Sequence, residues 1–356
     1  MENYDIFPVY LGIFQMEQNT EAQKLSFFRK TNGKIFLAGS LLLILLILLC
    51  FSWTFQLEIP SMGELFFPEA GDVDDSLRQI LFEIRLPRIL LGILTGACLA
   101  VSGAILQGVM RNPLASPGII GVSSGGGLCG LLVLLIFPQY IQLQLPASFA
   151  GAMAAALLIY ALAWKRGTDP VRLVLAGVAV SSMLGAISGM ILILHAEETG
   201  RILDFTFGSL ASAGNEELCR PLPYMLAGLL LAFLSAKKIN VLALGDDTAT
   251  SLGLHVERTR FLLIITAALL AAAAVSAAGL IGFVGLIAPH VIRMISGPDN
   301  RYLLPVSAIF GAVLVAGCNF AGRVIAFPGE FPAGLLLALL GPPFFLWLLR
   351  RTRYEI

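Results

Sequence analysis

Long apolar stretches without a charged side chain restrict this chain to very few folds. The stretches that contain no Asp, Glu, Lys or Arg are 112–137, 147–164, 173–194, 221–236, 261–292, 302–322 and 331–349. A segment that crosses a bilayer needs about 20 mostly apolar residues and must satisfy its backbone hydrogen bonds internally, as an α-helix does. Because 57% of the residues are hydrophobic and only 13% are charged, we expect an all-α membrane protein.

The apolar pattern divides into ten segments that can serve as transmembrane helices. These segments are 35–55, 86–108, 118–137, 147–164, 171–194, 221–237, 260–278, 280–295, 302–321 and 332–350. The first follows the basic stretch 29–34 and lacks the cleavage site of a secretory signal, so we expect a retained span. The sequence thus predicts one transmembrane domain over 35–350, flanked by cytoplasmic tails at 1–34 and 351–356.

The basic residues predict the orientation of these spans. With the N-terminus in the cytoplasm, ten spans place 17 of the 23 Lys and Arg residues on the cytoplasmic side, as the positive-inside rule requires. The opposite orientation would place the same residues outside. We therefore expect both termini in the cytoplasm.

The sequence "RLPR" at 85–88 departs from this rule, because the orientation places it outside. Arg85 and Arg88 flank a proline at the start of a long apolar segment, where proline suits the first turn of a helix. One interpretation is that both arginines anchor the helix by reaching to the membrane interface. The other is that a function needs two fixed guanidinium groups there, and the residues alone leave both open.

Several functional classes find no support in the sequence. The net charge is zero, which gives no reason to expect a nucleic-acid partner. His195, His255 and His290 fall at segment ends, no HExxH or GxSxG motif is present, and the five cysteines lack the spacing of a metal site. "GGGLCG" at 125–130 formally matches a dinucleotide fingerprint but has no preceding strand. We expect neither an enzyme nor a metal site.

The energy source is also constrained by what the sequence lacks. No phosphate-binding GxxxxGK[ST] motif occurs, so ATP would have to be hydrolysed by another chain. A proton-driven carrier usually needs ionisable groups within its spans, and these are missing. An ion-coupled secondary carrier stays as the alternative, because a sodium site can be built from backbone carbonyls.

Glycine spacing predicts close helix packing. Small residues four apart let membrane helices approach each other, and this spacing occurs at Gly92/Gly96, Gly121/Gly125 and Gly185/Gly189. Gly279, Gly282 and Gly285 recur every third residue and are predicted to form one bare helix face, and Pro289 can bend the inner end of that helix. "AVSGA" at 100–104 recurs as "AVSAA" at 274–278, which is compatible with an inverted repeat.

Four stretches together resemble one family, the FecCD/BtuC-type permease subunits of ABC importers for iron-siderophores, haem and cobalamin. They are "RLPRILLGILTGACLAVSGAILQGVMRNPLASPGIIGVSSGGG" (85–127), "LGDDTATSLGL" (244–254), "AAGLIGFVGLIAPHVIR" (277–293) and "GR…GEFPAGLLLALLGPPFFLWLL" (322–349). The resemblance implies a type II importer permease with ten spans, an inverted repeat and both termini inside. It also implies that this chain carries no cofactor, since ATP and Mg²⁺ bind the partner subunits.

The resemblance assigns roles to three groups of residues. Arg85, Arg88 and Arg323 would dock a substrate-binding protein. The cytoplasmic loop 238–260 would seat coupling helices on the ATPase, through Leu244, Gly245, Asp246, Asp247, Ala249, Ser251, Leu252, Gly253 and Leu254. Asp246 or Asp247 is predicted to cap a short helix there that ends at Gly253. Gate and packing roles would fall to Asn112, Pro113, Gly279, Gly282, Gly285 and Pro289.

The resemblance also implies partners and a location. The partners would be a second permease subunit (an identical copy or a close paralogue), two ATPase subunits and a soluble or lipid-anchored binding protein. The chain would lie in a bacterial plasma membrane and perform no bond chemistry. An iron-siderophore is the expected cargo, followed by haem and cobalamin, and nothing in the residues separates them.

Overall fold

The regular elements are all helices in the part of the chain that the computed structural model describes, residues 31–54, 79–118, 121–164, 170–195 and 199–351. The predicted tails at 1–34 and 351–356 fall almost wholly outside these ranges. The first half contains α1 (Thr31–Thr54), α2 (Leu86–Val109), α3 (Val122–Leu135), α4 (Gln144–Ala163), α5 (Pro170–Leu194), α6 (Thr199–Phe207) and α7 (Asn215–Cys219). A π-helical turn, Ile80–Arg85, leads into α2, and a 3₁₀ turn, Pro138–Leu143, leads into α4.

The second half continues with a group of short helices between longer ones. It contains α8 (Leu222–Leu234), α9 (Ala236–Ala243), α10 (Asp246–Ser251), α11 (Val256–Ala278), α12 (Val284–Ser296), α13 (Asn300–Ile325) and α14 (Ala333–Arg351). Each of the ten predicted apolar segments therefore contains a helix. By length and composition, seven helical stretches in the described ranges can cross a membrane, while α3, α12 and the apolar part of α14 are shorter.

Helix α2 is the most enclosed long helix of the described chain. It packs against α13, α11 and α12, and residues such as Leu91, Ala100 and Ile105 are fully buried. Its sequence alternates small and branched residues, which gives neighbouring backbones room to approach. The protein is therefore organised around α2, and the polar residues at its two ends are held by its neighbours.

Glycines set the distance between α2 and its neighbours. A Cβ added to Gly96 would overlap the carbonyl of Gly311 on α13, and one added to Gly103 would overlap the carbonyl of Gly285 on α12. The predicted close packing is thus confirmed at Gly96. The prediction fails for Gly185 and Gly189 within this chain, because a Cβ added to either would meet no other part of the chain within 4 Å. Both lie on the outer helix α5.

The break between α11 and α12 corrects the predicted glycine face. Helix α11 ends at Ala278, as predicted, and α12 begins only at Val284. Gly279 has φ 71° and Phe283 has φ 65°, values that a right-handed helix excludes. Gly279 therefore packs against the Phe205 backbone, where Leu280 N donates to Phe205 O at 3.0 Å. Of the three glycines, only Gly285 lies in a helix.

The crossing of α2 and α12 can be tested with matched glycine substitutions. Gly103→Ala should destabilise the protein by about 1–3 kcal/mol, because the new methyl group forces two backbones apart. Gly39→Ala on α1, where nothing lies within 4 Å, should leave stability unchanged or slightly higher. The measurement is the fraction of monodisperse purified protein after heating, and equal loss for both variants would contradict the crossing.

Candidate functional site

Two polar clusters lie at opposite ends of α2. The arginine cluster, at its N-terminal end, consists of Arg85, Arg88, Arg323, Asn319 and Glu330. The Asp246 cluster, at its C-terminal end, consists of Arg111, Asp246, Glu257 and Arg260. A helix of 24 residues is about 36 Å long, which is enough to place the two clusters on the two sides of a membrane.

The arginine cluster joins α2 to α13. Arg88 donates from Nε and Nη2 to Oδ1 of Asn319, at 3.2 and 2.8 Å, and its Nη2 lies 2.8 Å from Oε2 of Glu330. Only 12% of the Arg88 side chain is exposed. Arg323 Nη1 lies 3.5 Å from the carbonyl oxygen and the hydroxyl of Ser52 on α1. The three predicted arginines are brought close enough to interact electrostatically.

These contacts assign Arg88 a role that the sequence did not indicate. Its guanidinium cross-links α2 to α13 and to the segment that follows α13, and it does not simply reach the membrane interface. The sequence analysis missed both partners. Asn319 is a polar amide in a mostly apolar segment, and that position could have indicated that it hydrogen-bonds a polar group on another helix. Glu330 carried no signal of its own, because nothing in the spacing relates it to Arg88.

The Asp246 cluster joins three elements through one carboxylate. Arg260, at the start of α11, donates from Nη2 to both Asp246 oxygens at 2.9 and 3.0 Å, and from Nη1 to Glu257 Oε1 at 2.8 Å. Arg111, which follows α2, donates to Asp246 Oδ1 at 2.9 Å. The Arg260 side chain is only 2% exposed. The sequence analysis assigned no role to Arg111, Glu257 or Arg260.

The short helix α10 confirms part of the loop prediction and corrects the rest. It ends at Ser251, and Gly253 follows with φ 81°, as the predicted stop requires. Gly245, with φ 107°, occupies the N-cap position, and it makes no side-chain cap. Asp246 and Asp247 therefore lie in the first turn, where the helix dipole stabilises a negative charge. The Asp246 carboxylate binds arginines and does not cap the helix.

Apolar side chains flank α10 on the surface. Leu244 and Leu252 are each 62% exposed, whereas Ala249 is fully buried against the rest of the protein. Ser251 and Gly253 are exposed and Leu254 is half-buried. The predicted coupling residues thus form a surface helix with one anchored face and two exposed leucines at its ends.

The segment before α10 is anchored as well. Asn240 on α9 donates to Asp299 Oδ1 at 2.7 Å, and its own Oδ1 accepts from the Asn300 backbone N–H at 2.9 Å. Burial acts to raise the pKa of the Asp299 carboxyl, but hydrogen bonds from Arg301 N and Asn240, and the charges of Arg301 and Lys34, outweigh burial and lower the pKa. Asp299 therefore stays ionised and caps α13.

The predicted gate residues separate into two places. Asn112 and Pro113 lie in the turn after α2, where Asn112 Oδ1 accepts from Leu114 N at 2.9 Å. Gly285 lies next to Pro117 of the same turn, and Pro289 is buried within α12. Gly279 packs elsewhere, against Phe205, and Gly282 has no atom within 4 Å of an added Cβ.

A buried polar contact near this turn was also missed. Arg293 on α12 donates from Nη1 to Gln107 Oε1 at 2.7 Å, and Gln107 Nε2 donates to the Gly285 carbonyl at 3.3 Å. Gln107 is 3% exposed. A hydrogen-bonded amide in such an interior costs little, whereas an unpaired one is expensive, so this contact fixes α2 against α12 one turn before Arg111.

A polar cavity of about 460 Å³ lies beside the end of α11. Its lining includes Asp204, Ser209, Glu216, Glu217 and Ser276. Two of these carboxylates already have partners, since Glu216 pairs with Arg220 and Glu217 accepts from Gly214 N. Within the described ranges, no three His, Cys, Asp or Glu residues are placed to hold a metal ion.

The fold defines the class of protein, a multi-pass helical membrane protein. The FecCD transport family matches residues 41–351, and the chain belongs to this family.

Individual relatives are similar to this chain over most of their length. The chain is 42% identical to the cobalamin import system permease protein BtuC of Halobacterium salinarum, over 78% of this chain and 75% of that protein. It is 42% identical to the Fe(3+)-citrate import system permease protein YfmE of Bacillus subtilis, over 78% and 84%. A solved inward-facing structure of a metal-chelate type ABC transporter superposes with a TM-score of 0.78 at 29% identity, over 88% of this chain and 99% of that one.

The role of Asn319 in holding Arg88 can be tested by stability. Asn319→Leu keeps the size of the side chain but removes the acceptor of two hydrogen bonds, so the protein should lose about 1–3 kcal/mol. Glu216→Gln removes an exposed ion pair with Arg220, which is worth about 0–1 kcal/mol, and should change little. Thermal unfolding of both purified variants checks this, and equal melting temperatures would count against the cross-link.

Proposed function

We propose that this chain is the permease subunit of an ATP-driven importer in a bacterial plasma membrane. It works with a second permease subunit, two ATPase subunits and a substrate-binding protein, and it binds no cofactor of its own. Family membership over residues 41–351 is the observation that carries the proposal. The solved metal-chelate type ABC transporter supports it, because 88% of this chain follows its fold.

The proposed topology has ten spans with both termini in the cytoplasm. The seven long apolar helices and the three shorter ones supply the spans, and the positive-inside rule supplies the orientation. In this topology the arginine cluster faces the external solution and the Asp246 cluster faces the cytoplasm. The tails predicted from the sequence, 1–34 and 351–356, are cytoplasmic in this topology.

The arginine cluster is proposed to dock the binding protein. Three guanidinium groups gathered at one end of the protein form a positive surface, and such surfaces steer and orient an acidic partner. Arg88 is held by Asn319 and Glu330, so its contribution is to fix the cluster and add charge. Arg85 and Arg323 are the proposed direct contacts.

The opposite end is proposed to receive the ATPase. Helix α10 is a short surface helix with Leu244 and Leu252 exposed at its ends, which suits a hydrophobic groove on a partner. Gly245, Asp247, Ser251, Gly253 and Leu254 complete this surface. The turn with Asn112 and Pro113, which lies against Gly285, is proposed as part of the inner gate.

The proposed cargo is an iron-siderophore, delivered as an intact chelate. The described residues offer no group of metal ligands, so the permease would recognise the chelate and not the bare metal. Haem and cobalamin belong to the same class of large chelates and are alternative outcomes of a transport assay. The relatives differ in cargo, with cobalamin and ferric citrate both named.

The topology predicts which cysteines react on intact cells. The two exposed cysteines, Cys50 and Cys219, are first changed to Ser. A cysteine is then introduced by Glu83→Cys, beside the arginine cluster, or by Thr248→Cys, on α10. A membrane-impermeant maleimide should label position 83 on intact cells and position 248 only after lysis. The reverse pattern would invert the topology and remove the import mechanism.

The docking proposal predicts a salt-sensitive loss on charge reversal. Arg85→Glu should weaken binding of the cognate binding protein by about tenfold or more, because like charges then face each other. Arg220→Gln, at an exposed arginine outside the cluster, is the control and should bind as the wild type. Affinity is measured on purified complex at two ionic strengths, together with ATP-dependent uptake of radioactive ferric chelates, haemin and cyanocobalamin. Unchanged affinity for Arg85→Glu would remove the cluster from docking.

A further inference from the structure

The Asp246 carboxylate, on the coupling segment, joins the start of α11 to the turn after α2. It lies in the first turn of α10 and receives Arg260 from α11 and Arg111 from the turn 110–118. We propose that the chain Arg260–Asp246–Arg111 transmits movement of α10 to the turn 110–118 and so couples ATP hydrolysis to the gate. This inference rests on the proposed function and adds the residues that carry the coupling.

The Arg260 half of the linkage is rigid. Its guanidinium is 2% exposed and binds both oxygens of Asp246 as well as Glu257. Charge-assisted bonds of this kind are short, and the two-point contact to one carboxylate is directional. The start of α10 is therefore fixed to the start of α11, a helix whose described length is largely buried. A displacement of α10 is transmitted directly to α11, because this contact is rigid.

The Arg111 half is the adjustable one. Its side chain is 40% exposed and makes one contact to Asp246, from Nη2 to Oδ1 at 2.9 Å. Its backbone has φ 49°, a conformation that non-glycine residues adopt only when surrounding contacts hold it. The next two residues are Asn112 and Pro113, so a shift of Asp246 acts directly on the backbone that begins the turn.

The contacts on both sides of the turn 110–118 are fixed, so the turn is the part that can move when α10 moves. One turn earlier, Gln107 is held by Arg293 and the Gly285 carbonyl. On the other side, Asn240 anchors α9 to Asp299 and Asn300. Between these fixed points, the two carboxylates of the Asp246 cluster balance the charges of its two guanidinium groups. The Asp246 carboxylate can therefore move with α10 without leaving a charge unpaired.

Arg111 offers the cleanest test, because the exposed side chain can be changed without emptying a buried site. Arg111→Gln keeps an unbranched side chain and the backbone conformation but removes the charge. Arg111→Lys restores a charge, and one ammonium can replace a single Nη2 contact. Arg258→Gln is the matched control, since Arg258 is an exposed arginine on the same turn of α11 and outside the linkage.

The measurement is the ratio of cargo transported to ATP hydrolysed, in proteoliposomes that contain the whole complex and its binding protein. Arg111→Gln should lower this ratio by about tenfold while the ATPase rate stays within about twofold of the wild type. Arg111→Lys and Arg258→Gln should keep the wild-type ratio. The amount of assembled complex is measured for each variant by co-purification of the ATPase subunit.

Two results would overturn the linkage. One is an unchanged ratio in Arg111→Gln. The other is a parallel fall of uptake, ATPase rate and assembled complex, which would make Arg111 a purely structural residue. If the wild-type complex itself shows no ATPase activity stimulated by the binding protein, the proposed function fails and the linkage fails with it. The wild-type measurement therefore separates the two failures.

Discussion

The close approach of α2 to α13 and α12 is the constraint on which the rest of the structure depends. Gly96 faces Gly311, and Gly103 faces Gly285, at distances that leave no room for a methyl group. Lipid does not drive apolar helices together, so their association relies on van der Waals packing and on the small residues that permit it. These crossings fix the rotation and depth of α2, and thereby the positions of the polar side chains at its two ends.

Both polar clusters follow from that fixed helix. With α2 held against α13, Arg88 reaches Asn319 on the neighbouring helix. With α2 held against α12, Gln107 reaches Arg293 and the Gly285 carbonyl. The membrane interior tolerates such groups only when they are paired, so each contact also fixes the register between its helices. A shift of α2 along its axis would break both contacts at once.

An importer needs parts that stay fixed and parts that move, and the described contacts divide the end of the protein around the Asp246 cluster in this way. Helix α9 is held through Asn240, and Arg260 joins the start of α11 to α10, which lies on the surface. In the proposed mechanism, the turn after α2 is the element that responds, because Arg111 connects it to Asp246 by one half-exposed contact.

The sequence by itself determined the membrane class, the ten apolar segments, the end of α11 at Ala278 and the residues that relate this chain to its family. Hydropathy and charge are local properties, and they suffice for these predictions because lipid selects helices by composition. Only the tertiary structure decided which residues meet: Glu330 with Arg88, Asp246 with Arg260 and Arg111, and Gly285 with Gly103. It also overturned the helical face predicted for Gly279 and Gly282, and it gave an added Cβ at Gly185 no neighbour within this chain. Those outcomes depend on backbone dihedral angles and on contacts between residues far apart in the chain, which spacing along one segment does not encode.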